Sequence, residues 1–217
     1  MFQLAGLRQS CQFLFACTQQ ICKLQILKFE NQIRYNLFVM ETQAPFINVT
    51  EDEVTTAVMV YTSQGILWGN LTHHNMVMPS RILTGVPPPE FLALADAQAM
   101  FLEHNFLAKP IKHHQLMIPA RTILGFHLMP PAKDQLDYDP TEPNRIMSPV
   151  TLYMGALVIK GNLRIAAIAT VKTSVEVLKA DFLTVYDIEI SHPSTPKMSP
   201  IRSNMGYFRV NSLLLAE

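Results

Sequence analysis

Val58-Met59-Val60-Tyr61 and the Gly69-Asn70-Leu71 that follows it decide how this chain is read, because both return 92 positions later. Val150-Thr151-Leu152-Tyr153 lies over the first and Gly161-Asn162-Leu163 over the second, with Ile66-Leu67 over Val158-Ile159 between them. One residue is then lost, and an offset of 91 places Phe91-Leu92 over Phe182-Leu183 and Asp96 over Asp187. The offset of 92 then returns, with Ile118 over Val210 and Ile123 over Leu215. An ordered series of matches at near-constant spacing is the mark of a repeated structural unit.

Each copy reads as antiparallel β structure. Val58–Tyr61 and Ile66–Leu71 are short apolar runs rich in β-branched residues, broken at Gly65. Val150–Met154 and Leu157–Ile165 repeat them around Gly155. Gly69 and Gly161, inside strands, predict a bulge or sharp bend. Glu90–Asn105 has the Ala, Leu and Met of a helix, yet its partner Val177–Ile190 is rich in Val, Ile, Thr and Tyr, which favours strand for both. Gln115–Leu124 and Tyr207–Leu215 are read as one final strand in each copy. Pro79–Glu90, with its triple proline, and Ser191–Asn204 are read as loops.

The expected division is an N-terminal extension over 1–39, a first β module over 40–127, a linker over 128–149 and a second β module over 150–217. The linker assignment rests on the prolines and acids of Met129–Pro149. The extension differs in kind from the body. It holds four of the 17 basic residues and one of the 17 acidic ones, and no proline. Four readings stand for it: sequence upstream of a true start at Met40, an amphipathic helix through Leu14, Cys17, Ile21 and Leu24, a targeting peptide, or a lipoprotein box at Leu14–Cys17.

Composition excludes several function classes. At 49% hydrophobic residues a substantial core can be buried. Zero formal net charge argues against a general polyanion binder, which gains affinity from a basic excess, so no DNA binding is expected. No apolar run is long enough to span a bilayer. All three cysteines fall within the first 22 residues, so neither a disulfide framework nor a cysteine zinc site can hold the body, and a cytoplasmic setting is expected. Ser63, Ser80 and Ser174 lack the Gly-x-Ser-x-Gly context of a nucleophile, and no glycine-rich phosphate loop is present. Asn48-Val49-Thr50 matches a glycosylation acceptor without a secretory signal.

The order of elements resembles the Sm-like family. Gly69-Asn70-Leu71 followed by Phe91-Leu92-Ala93-Leu94-Ala95-Asp96-Ala97, and Gly161-Asn162-Leu163 followed by Phe182-Leu183-Thr184-Val185-Tyr186-Asp187, are similar to that family's Gly-x-Leu step and apolar-Leu-x-Leu-x-Asp pattern. Ile118–Ile123 and Val210–Leu215 would supply its closing strand. The same pattern is similar to uncharacterised bacterial domains. The resemblance implies a mainly β fold of two tandem small antiparallel Sm-like (SH3-like) barrels, covering residues 55–127 and 148–216, with a helical N-terminal extension as one reading. The family's RNA-binding motifs are not matched: Asn75-Met76 is in the wrong order, and Arg121 precedes Thr122 rather than glycine. RNA binding is therefore not carried over from the family.

Six of seven histidines lie between residues 73 and 127. His73, His74, His113 and His114 could contribute one ligand from each pair to a zinc or nickel site, because adjacent strand residues face opposite ways. Such a site needs a third ligand, His104 or His127. The alternative is two polar pairs at strand ends. Asp96 and Asp187 read as strand-end residues that bond backbone in the following turn, ahead of a role as paired acid–base carboxylates. The expectation is a non-enzymatic scaffold or interaction protein with no cofactor. It self-associates as a homo-oligomer because open strand edges need covering. Single-stranded RNA binding and histidine-based metal binding are the alternatives.

Overall fold

The computed structural model describes residues 50–85, 87–101, 109–133, 135–193 and 199–216. The N-terminal extension, His104 and Asn48-Val49 lie outside them. All the strands belong to one compact unit, Pro45–Pro196 with Pro200–Glu217.

The two halves repeat one order of elements. In the first, β1 (Glu53–Thr62) and β2 (Gly65–His74) lead to the short helix α1 (Pro79–Thr84), then β3 (Phe91–Phe101), β4 (Ile111–Pro119), a 3-10 turn (Ala120–Thr122) and β5 (Ile123–Leu128). The second gives β6 (Arg145–Met154), β7 (Leu157–Ala166), α2 (Val171–Glu176), β8 (Phe182–Ser191), β9 (Ile201–Arg209), a 3-10 turn (Val210–Ser212) and β10 (Leu214–Ala216). The strands run in the order β10-β6-β7-β8-β9-β5-β1-β2-β3-β4. Within each half the order is therefore the same, fifth strand, first, second, third, fourth.

Two expectations need correction. The strands do not form two closed barrels. They make one open antiparallel sheet of ten strands, in which β9 of the second half pairs with β5 of the first. Nor is the end of each half a single strand, since a 3-10 corner splits it in two. The first corner follows Pro119, whose fixed φ and missing N–H suit a strand end.

Strand register gives the spacing of the repeat directly. Val58 pairs with Gly69 and Val150 with Gly161, so β1 and β2 map onto β6 and β7 at 92. Leu92 faces Ile118 and Leu183 faces Phe208, so an offset of 91 between β3 and β8 becomes 90 between β4 and β9. The counterpart of Ile118 is Phe208, not Val210. The first turn keeps its length, and each later connection of the second half is one residue shorter, so the offset falls from 92 to 89 at the last strand.

Both halves bend at one device. Register shifts between Trp68 and Asn70 against β3, and between Lys160 and Asn162 against β8. At each shift the third strand carries one extra residue, and there an aspartate takes a left-handed backbone, with φ 46° at Asp96 and 51° at Asp187. Asp is one of the few side chains that tolerates this region. Opposite them, a Cβ on Gly69 would stand 2.9 Å from the Ala95 carbonyl oxygen, and one on Gly161 would stand 2.8 Å from that of Tyr186. The aspartates thus sit inside β3 and β8, not at strand ends. The Asn162 side-chain amide donates to Asp187 at 3.5 Å.

α1 begins with Pro79 in its first turn, and α2 is closed by a capping box between Thr170 and Thr173. The segment expected as a linker packs on the second half. Tyr138 meets Tyr186 edge-on at 5.1 Å, the Arg164 guanidinium lies 4.4 Å over the Tyr138 ring, and the Tyr186 hydroxyl donates to Asp137 at 2.5 Å. Burial first, and then the Asp137 carboxylate, push the Tyr186 phenol above its ordinary range.

Candidate interaction interface

The joint between the halves is a short ladder with an aromatic core. Gly125 faces Phe208 and Phe126 faces Tyr207 across β5 and β9. Phe126 stacks on Tyr207 with ring centroids 4.8 Å apart and meets Phe182 edge-on at 5.6 Å. Gly125 is demanded by the close approach, because a Cβ there would lie 2.5 Å from the Phe208 ring. One hydrophobic cluster runs through the joint, joining Val58, Leu94, Ile118 and Phe126 to Phe182, Tyr186, Met205 and Tyr207.

Arg209, at the end of β9, clamps the joint. Its Nε donates to the Ile123 carbonyl at 2.9 Å and its Nη2 to the Ala120 carbonyl at 3.1 Å, so it satisfies the 3-10 corner of the other half. The guanidinium lies 4.6 Å over the Phe182 ring and pairs with Asp181 at 3.7 Å. Hydrogen bonds from a charged donor to backbone carbonyls are among the stronger ones.

The outer strands are the same two kinds of edge, and among the described residues β4 pairs only with β3 and β10 only with β6. Register carries Phe126 onto Leu215 and Tyr207 onto Met117, while the offset of 91 carries Phe182 onto Phe91. At the joint Phe126, Tyr207 and Phe182 are 1%, 7% and 7% exposed; Leu215, Met117 and Phe91 are 36%, 54% and 45% exposed.

The histidine pairs do not converge. His73 is buried, with Nδ1 donating to the His74 carbonyl at 3.0 Å and Nε2 accepting from the Thr56 hydroxyl at 2.8 Å. Both ring nitrogens are thus engaged. His74 Nδ1 accepts the Met76 N–H at 3.1 Å. His113 stands opposite Ala97 on β4, whereas β2 register puts His73 level with Leu92 and hence with Ile118. Five residues of strand separate those levels, about 16 Å at ~3.3 Å per residue. Among the described residues no group of three or more His, Cys, Asp or Glu could hold a metal.

His127, weighed only as a third ligand, is instead half of a buried pair. Its Nδ1 donates to the Leu128 carbonyl at 2.9 Å, so its Nε2 accepts from the Tyr61 hydroxyl at 3.1 Å. Burial lowers the His127 pKa and raises that of Tyr61, and both stay neutral. Tyr153, the counterpart of Tyr61, is exposed. No helix among the described residues is long and apolar enough to cross a membrane. No family model, curated protein or solved structure matches the chain.

Proposed function

We propose that this chain is a non-enzymatic interaction scaffold of the cytoplasm, made by internal duplication of an Sm-like β module and working as an assembly of copies of itself. The observation that carries the reading is the β5–β9 joint. One module's fourth strand completes the sheet of the next module's fifth, and the outer fourth and fifth strands keep apolar side chains exposed. Bare edges of this kind are templates for pairing with another chain. The buried Tyr61–His127 pair is closed on itself and held neutral, which suits a structural role.

Light scattering on the purified chain across a concentration series tests the reading. A mass above that of one chain is expected, and a single-chain mass throughout would overturn it. Retention of labelled single-stranded RNA at low salt and its loss at high salt would replace it with nucleic-acid binding.

A further inference from the structure

We infer that the partner of each free edge is the opposite free edge of a second copy, so that β10 of one chain pairs with β4 of the next in the geometry of the internal β5–β9 joint. The inference rests on the self-association reading above and names the surfaces and the polarity of contact. Its warrant is continuity with a joint already present in the molecule. The internal joint pairs a fifth strand with a fourth strand. Once it is made, one fourth strand (β4) and one fifth strand (β10) remain, each with a single neighbour among the described residues.

Register fixes the contact. The counterparts of Gly125 opposite Phe208 and of Phe126 opposite Tyr207 are Leu214 opposite Ile118 and Leu215 opposite Met117. Glycine gives way to a phenylalanine at the internal joint, while at the outer one two aliphatic side chains of equal size, Leu214 and Ile118, face each other and neither is a ring. Leu214, 73% exposed, would be covered by that contact. Phe91 would gain the cover that Phe126 gives Phe182. The clamp is not repeated, because the counterpart of Arg209 is Pro119. The contact between chains is therefore weaker than the joint within one and depends on concentration. A contact between unlike edges also leaves a free edge of each kind at the ends of every pair, so assembly does not stop at two chains.

Two edge-blocked variants test this. Met117→Lys places a charge on the β4 edge, and Leu214→Lys with Leu215→Lys places charges on the β10 edge; lysine is a natural block to edge pairing. Circular dichroism and thermal melting check folding, and Leu214→Lys alone replaces the double change if that chain melts early. Native mass spectrometry should find the unaltered chain in assemblies larger than two, each variant as a single chain, and their equimolar mixture as a two-chain species and nothing larger. An unaltered chain that assembles while the mixture stays as single chains would overturn the unlike-edge contact and leave self-association standing. A variant whose size does not change would overturn it as well. An unaltered chain that stays single would remove both readings.

Discussion

The internal joint and the two outer edges occupy equivalent positions in a repeated module, yet they differ in what they bury. At the joint, Phe126, Phe182 and Tyr207 are packed together and Arg209 is tied to two carbonyls of the facing half. At the edges, Leu215, Phe91 and Met117 are partly bare, and β4 ends in Pro119 where β9 ends in Arg209. The joint is held by aromatic packing and a charged clamp, while the edges carry only the apolar half of that arrangement.

The largest effect is expected from Phe126→Ala. Removing a fully buried ring from the joint should cost about 3–5 kcal/mol in urea unfolding. Leu215→Ala, the matching change at the edge, should cost under ~1 kcal/mol in dilute single chains and act mainly on assembly. Equal losses at both positions would break the comparison. Arg209→Ala should follow at about 1.5–3 kcal/mol, because it removes two hydrogen bonds from a charged donor, to the Ile123 and Ala120 carbonyls. Pro119→Ala, at the counterpart position, has no such bonds to lose.

The shared bend gives a pair of equal effects. Asp96→Val and Asp187→Val place a β-branched residue at left-handed φ and should each cost about 1–3 kcal/mol, while Asp→Gly at either site should change stability by less than ~1 kcal/mol. The smallest effect concerns pH. His127 is held neutral by burial, so its folded pKa lies below the unfolded value near 6.5. Protonation then favours the unfolded chain, and stability should fall as pH drops below about 6.5. His192 shifts in the same direction. His127→Gln should therefore flatten the acid slope without abolishing it, as read from melting between neutral and mildly acid pH.

Much of the fold was legible because it lies in local pattern. The glycine steps, the apolar runs and the paired Phe-Leu segments showed where strands recur, and the second copy settled β3 as strand against its own helical composition. The last strands were misaligned because Ile118 and Val210 match in type, whereas ladder pairing makes Phe208 the counterpart. The first helix was read as part of a loop and the second was not marked, although Pro79 and Thr170 are both start signals, because six residues give too little periodicity to register. Half of the bend device was visible as glycine. The left-handed aspartate facing it was not, since only a ladder with one extra residue reveals that backbone. The interface was least legible. Pairing between β5 and β9 joins residues more than 80 positions apart, and no sequence period marks which edge a strand will share. The histidines misled because adjacency in sequence says nothing of level along a sheet, and five residues of strand keep them apart.

Repetition of the internal joint between chains is read from the mass of the native protein. Native mass spectrometry at micromolar concentration should show whole-number assemblies of more than two chains that dissociate on dilution. A single-chain mass at every concentration, or a dimer that grows no further, would contradict it.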